Sequence, residues 1–330
     1  MQTHLWEVEG KGDGISDQEV TSEVHGPAPA RARWLSTFID RPRRLGVVMI
    51  APAVIYIVLV VGVPFFLALY YSLTDITAGS RTLHFVGLKN FAAIIETLKF
   101  QTALRNTFVF AVGSQILVIV LATALALALM KDFRGKWLVR LLILLPWVAP
   151  MSLGSIGWLW ILDSIYSVIN WTLQAVGLIT PDNWPMYLGK PYLAMASVIG
   201  VHVWRLLPLA TVILLAGLAS IPKDIHDAAQ VDGAGFWRHL FQITLPLVRP
   251  IMLVATLFGL IFASTDMIVI FVLTRGGPYD TTQVLSTLAF FTGIQGGDLA
   301  EGAAIAVFLF PMLLAVAVVF LRIARRTEVI

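Results

Sequence analysis

The chain has 330 residues, of which 58% are hydrophobic and only 13% charged, with a formal net charge of +3. A soluble domain carries about 25% charged residues, so the composition is that of a polytopic membrane protein, and it offers no basic surface to nucleic acid. Cysteine is absent, which excludes disulfides, thiolate metal sites and thiol catalysis.

Residues 1–30 set Glu7, Glu9, Asp13, Asp17, Glu19 and Glu23 against a single base, Lys11. Such a segment has too little apolar area to offset its ordering entropy. We expect residues 1–40 to form a disordered cytoplasmic tail, followed by a membrane domain over 41–330. The start has no basic cluster followed by an apolar stretch, so it does not read as a signal peptide. Arg31 to Arg44 is basic and flanks the first span; Trp34, Leu35 and Phe38 could lie on the membrane face as a short helix.

About 20 apolar residues cross the hydrocarbon. Six runs qualify: Leu45–Leu73, Asn106–Met130, Leu141–Leu162, Pro191–Leu218, Ile251–Thr274 and Gly302–Leu321. In lipid these must be helices, because an open strand would leave backbone groups unpaired. The expected fold is all-α with six transmembrane helices. Lys and Arg gather at the amino-terminal flank, after span 2, after span 4 and at the tail. The positive-inside rule then places both termini and the Ala219–Pro250 loop in the cytoplasm. On the outer side, Phe85–Ile94 reads as a small helix, and Tyr166, Trp171, Trp184 and Tyr187 as an interface belt.

HExxH, GxSxG and P-loop patterns are all missing, so no catalytic residue is expected and any ATP is split by another subunit. The histidines His4, His25, His84, His202, His226 and His239 are not spaced as metal ligands. Two charges fall inside spans, Arg205 and Asp266. Such groups cost a few kcal/mol at membrane depth and usually face a bundle interior or an aqueous path. Two readings stay open: a polar route for solute, or a structural Arg–Asp pair. His202 shares a helix face with Arg205, either on that route or as a packing histidine. Pro52, Pro64, Pro146, Pro150, Pro208 and Pro311 fall in or at the ends of spans and can kink them. The Gly154–Gly157 and Ala122–Ala128 runs read as close helix packing.

The Ala219–Pro250 loop has more pattern than a connector needs. Pro222 and Asp224 mark a helix start, with the carboxylate as cap. Ile225, Ala228 and Ala229 share a small apolar face, with Asp227 beside it. Gly233 ends that helix. Phe236 to Ile243 forms a second short helix, which Pro246 and Pro250 stop before span 5 begins. The outcome is a helix–turn–helix bracket across the cytoplasmic face; a loop that merely caps its own bundle is the plainer alternative.

Asp227-Ala228-Ala229, Asp232-Gly233-Ala234 and then Ile243-Thr-Leu-Pro246 resemble the EAA motif of binding-protein-dependent ABC importer permeases. FVGLKNF, VWRLLP (Val203–Pro208), LAGLASIP (Leu215–Pro222) and LTRGGP (Leu273–Pro278) resemble the carbohydrate branch, of the maltose and glycerol-phosphate type. Asp227 stands where the family usually has Glu, one methylene shorter. The resemblance implies type I importer architecture in the bacterial inner membrane. It implies a second homologous permease, two ATP-binding subunits and an external solute-binding protein or lipoprotein as partners. No cofactor is expected on this chain; ATP and Mg would be used by the ATPase subunits. Asp227, Ala228, Ala229, Asp232, Gly233 and Ala234 would couple to the ATPase. His202, Leu206, Leu209, Phe262 and Asp266, with Arg205 beside them, would line the solute pathway. The implied cargo is a carbohydrate, or alternatively a polyol or glycerol-phosphate. An ion-coupled secondary transporter using Arg205–Asp266 as a relay is the competing class.

Overall fold

The computed structural model describes residues 42–327. The expected disordered tail, and the short helix placed on its basic flank, lie outside the described residues. The amino-terminal unit ends at Val63. It holds α1 (Pro42–Ile57), with Pro52 inside, and a π turn over Val58–Gly62 closed by Val63 N–H donating to the Val58 carbonyl. The helix runs on as α2 (Val63–Ser72), giving a 28-residue apolar span, Leu45–Ser72.

The second unit, Pro64 to Ile330, contains the remaining helices. Among the described residues five helices are long and apolar enough to cross a membrane, or six if one bent pair counts as a span. After α2 the chain makes an isolated antiparallel bridge, Thr74 with Phe85. Asp75 closes it, accepting from His84 N–H at 2.8 Å and facing His84 Nδ1 at 3.0 Å. These bonds, the backbone one first, hold the Asp75 carboxyl below its ordinary value. The short helix expected over Phe85–Ile94 is α3 (Lys89–Glu96). Asn90 pins it by donating to the Ser72 and Thr74 carbonyls at 2.9 and 2.7 Å.

Span 2 is α4 (Leu98–Met130), two turns longer at its start than the uncharged run suggests. The Thr97 hydroxyl caps it by accepting from Phe100 N–H, and a helix tolerates Lys99 and Arg105 near its end because their heads can reach water. After α7 (Val168–Ala175), capped by the Ser167 hydroxyl accepting from Asn170 N–H, span 4 is α8 (Pro191–Ala219), started by a proline in its first turn. Half of its most apolar window is buried, more than in the other four long helices among the described residues, so α8 is central to the packing. Val118, Ala122 and Ala126 of α4 pack with Val203, Leu206, Ala210 and Leu214 of α8. The small residues of α4 let the two backbones approach. Span 6 is α14 (Leu299–Thr327).

Three expectations are corrected. Span 3 is not one helix: α5 (Lys136–Val148) and α6 (Met151–Ile161) meet at 97°. The break falls at Ala149-Pro150, because proline excludes the preceding residue from helical backbone; Ala149 is extended at ψ 140°. The second short helix of the loop does not stop at its prolines. α10 (Phe236–His239), a π turn over Leu240–Thr244 and α11 (Leu245–Thr265) form one 30-residue span, Phe236–Thr265. Pro246 follows a π turn as Pro64 does. A widened turn relieves the clash that a proline ring makes with the preceding turn's carbonyl. At its far end span 5 stops at Thr265, short of the Thr274 expected, and a separate α12 (Ile268–Leu273) follows.

The stretch between spans 5 and 6 also folds, into α13 (Leu285–Phe290) and a π turn, Phe291–Gln295. Gly302 of α14 crosses this turn so closely that an added Cβ would lie 2.3 Å from the Gly293 Cα. Replacing Gly302 with valine should therefore destabilise the protein by about 1–3 kcal/mol, the usual cost of overpacking. Denaturant unfolding of the purified chain in mixed micelles reads this directly, and an unchanged midpoint would refute the contact.

Candidate functional site

Two places carry the residues singled out in the sequence. The first is a polar cluster inside the bundle. α8 supplies His202 and Arg205, and Asp266 sits at the break between α11 and α12. The His202 Nδ1–H donates to Asp266 Oδ2 at 2.7 Å. Arg205 Nη1 lies 4.0 Å from the same oxygen. Asp266 Oδ1 accepts from Val269 N–H at 3.3 Å, so the carboxylate also holds the first turn of α12. Ser286 Oγ donates to the Asp266 backbone carbonyl at 3.0 Å. Asp266 is thus not mid-helix, as the uninterrupted run suggested, but the joint of four segments.

His202 is 1% exposed, its ring edge-on to Phe110 at 5.0 Å between centroids. Arg205 lies over the Trp147 ring at 5.6 Å, and Trp147 meets Phe262 edge-on at 5.9 Å. The structure therefore joins His202, Arg205 and Asp266 directly, and Phe262 through Trp147. Leu206 is different: it is 3% exposed and buried among Val203, Ala210 and Val248. Leu209 packs at the edge of the same apolar cluster. Leu206 is thus packed within an apolar cluster, and Leu209 is half-buried at its edge. Trp147 and Phe110 were not singled out in the sequence. The Pro146 and Pro150 flanking Trp147 were the available signal, since a break is where an aromatic can turn inward. His202 Nε2 and Arg205 Nε are buried with no hydrogen-bond partner; they are the polar atoms of the cluster left over for something else.

The second place is the bracket at the opposite end of the bundle. α9 (Lys223–Val231) begins after Pro222. Asp224 lies in its first turn but makes no side-chain cap; it favours the helix only through the dipole. The carboxy-terminal end is closed by the backbone. Gly233 N–H donates to the Gln230 carbonyl at 3.0 Å and Ala234 N–H to the Ala229 carbonyl at 2.9 Å. That is a Schellman closure, which needs a left-handed residue, and Gly233 supplies it with φ 70°. Asp232 is the residue just before it. The small face divides: Ala229 is buried, while Ile225, Asp227 and Ala228 are exposed. One latch was missed in the sequence. His226 Nδ1 and His239 Nε2 are 2.9 Å apart, joining α9 to α10. The i, i+13 spacing gives no helical-face signal, so only the fold brings these rings together.

The described residues thus form a helical membrane bundle with a bent pair of helices, a buried polar joint and a closed bracket. The chain belongs to the family described as binding-protein-dependent transport system inner membrane component, whose model matches residues 118–328. It is 33% identical to the trehalose/maltose transport system permease protein MalF of Thermococcus litoralis, over 86% of this chain and 95% of that one. It is 33% identical to the trehalose transport system permease protein SugA of Mycobacterium tuberculosis, over 85% and 89%. It is 30% identical to the sulfoquinovosyl glycerol transport system permease protein SmoG of Agrobacterium fabrum, over 91% and 96%. The fold matches a chain in the crystal structure of a bacterial ABC transporter involved in the import of the acidic polysaccharide alginate. There the TM-score is 0.75 at 22% identity, over 89% of this chain and 99% of that one. The chain is a transport permease subunit, multi-pass in the membrane.

The joint at Asp266 makes a measurable claim. Hydrogen bonds to charged groups contribute about 1.5–3 kcal/mol. In a double-mutant cycle, His202→Ala and Asp266→Ala should show a coupling of about 2 kcal/mol in unfolding free energy, well above the ~0.5 kcal/mol scatter of independent sites. Simple additivity would mean that the two side chains do not hold one another.

Proposed function

We propose that this chain is the membrane-spanning permease subunit of an ATP-driven importer that takes up a carbohydrate handed to it by an external solute-binding protein. Support for the cargo comes from the family and from relatives that carry trehalose, maltose and sulfoquinovosyl glycerol in their names. Support for energisation comes from the bracket. Asp227 is exposed and makes no hydrogen bond or ion pair within the described residues. A carboxylate and an alanine turned outward on a rigidly closed helix suit docking on another subunit. In this reading α9 seats on an ATP-binding subunit in the cytoplasm, a second permease completes the membrane unit, and both termini are cytoplasmic.

The solute pathway in this reading runs past His202, Arg205, Phe262 and Asp266. His202 Nε2 and Arg205 Nε, buried and unpartnered, would meet sugar hydroxyls once the bundle opens. Burying a polar atom without a partner costs about 1–3 kcal/mol, so solute contact there would relieve that cost. The Arg205–Asp266 approach also occurs in the ion-relay alternative. That alternative leaves the outward-facing bracket without a task and does not fit the family.

The single observation that carries the proposal is the Schellman-closed bracket with Asp227 exposed. Its test is Gly233→Trp in the assembled transporter reconstituted in liposomes. A side chain at a left-handed position costs about 1–2 kcal/mol, although nothing lies within 4 Å of the position to clash. ATP hydrolysis should persist while sugar uptake falls at least about tenfold, the loss that 1.4 kcal/mol of coupling produces. Normal coupled uptake would remove the docking role.

A further inference from the structure

At the end of the bundle away from the bracket, the segment between α12 and α14 encloses a second polar site. A pocket of about 420 Å³ opens there, lined by Lys99 of α4, Arg275, Asp280 and Gln283 of the loop, and Phe291 and Gln295 of the π turn. Its size falls within the roughly 300–1,000 Å³ of small-molecule sites. The loop that frames it is held by its own bonds. Thr282 Oγ1 is 2.7 Å from Thr274 Oγ1 and donates to the Gly277 carbonyl at 2.7 Å. Asn106 Nδ2 of α4 donates to the Asp280 carbonyl at 3.0 Å.

Within this frame Gln283 is 3% exposed, and its Nε2 has no hydrogen-bond partner. Gly276 is there to admit it: an added Cβ on Gly276 would overlap the Gln283 amide oxygen. A buried amide donor left open beside a polar pocket costs about 1–3 kcal/mol unless something in the pocket accepts from it. Among the described residues no salt bridge engages Lys99, Arg275 or Asp280.

We infer that this pocket is a carbohydrate subsite at the outer mouth of the permease, separate from the His202–Asp266 cluster. The inference rests on the proposed import function and on the orientation that puts the bracket in the cytoplasm. The side chains decide the ligand class. Lys99, Arg275 and the Gln283 amide N–H donate, Asp280 accepts, and Gln295 does both. An anion would want donors alone, and Asp280 would repel it. A sugar hydroxyl both donates and accepts, so it matches the mixed set. Phe291 adds an apolar ring beside them, suited to the C–H face of a pyranose. The subsite would hold a sugar released at the mouth before it moves inward.

The test uses saturation-transfer NMR on the full transporter in nanodiscs, with trehalose and maltose as probes. Sugar protons should receive saturation from the parent. The signal should weaken about fivefold in Gln295→Ala and in Gln283→Leu, the loss expected for one hydrogen bond of about 1 kcal/mol. Gln295 is exposed, so its variant decides the matter alone if Gln283→Leu fails to assemble. Asp266→Ala should leave this outer signal in place. Equal signal in the parent and both glutamine variants would overturn the subsite, as would displacement of the sugar by inorganic phosphate. ATP-driven sugar uptake by the parent is measured alongside. Its absence would sink the import reading itself, whereas uptake with no dependence on Gln283 and Gln295 sinks only the subsite.

Discussion

Asp266 is the constraint on which the arrangement depends. An ionisable side chain at membrane depth costs about 2.5–3.5 kcal/mol even on lenient scales. Here its polar atoms are met from different segments: His202 from α8, the Val269 amide from α12 and the Ser286 hydroxyl from the first turn of α13. One residue therefore ends span 5, starts the next helix and ties both to the most buried helix of the bundle. Arg205, at 4.0 Å and shared with the Trp147 face, adds opposite charge without a close bond. An Arg so placed is available to another partner.

The opposite end follows a different logic. The bracket is closed by backbone bonds at Gly233 and by the His226–His239 contact, and it leads without a break into span 5. That span is one helix from Phe236 to Thr265, 30 residues, or roughly 45 Å at 1.5 Å per residue. In the proposed coupling, a force on the bracket would act along a single rod that ends at Asp266. The π turn at Leu240–Thr244 is the one place near the bracket where that rod departs from α geometry, and such turns commonly mark points of give.

Much of this was legible in the sequence. Apolar run length located the spans, and the cost of charge in lipid singled out Arg205 and Asp266. Pro222, Gly233 and the alanines located α9. What was not legible has common causes. Proline was read as a stop, but Pro246 follows a π turn that accommodates its ring, whereas Pro150 does break span 3. Apolarity does not distinguish a straight span from one bent by 97°. Partners far apart in sequence, such as Trp147 with Arg205 or Gln283 with Gly276, leave no periodic signal. Leu206 was singled out by motif position, and its burial among Val203, Ala210 and Val248 carried no signal in the sequence.

The exposed surface of the bracket bears on the choice between docking and self-capping. A loop that only covered its own bundle would turn its apolar side chains inward. Here Ala229 does so, but Ile225 does not, and Val231, in the last turn of α9, is 88% exposed. Asp224, Asp227 and Asp232 lie exposed on the same short element. The apolar tip is costly to leave in water, whereas the three carboxylates are well solvated there; in the proposed docking the pair would suit a cleft with an apolar floor and a basic rim. Asp227, shorter by one methylene than the glutamate usual in the family, would reach less far into such a rim. In the proposed docking, more of the burden would then fall on the apolar tip than on that carboxylate.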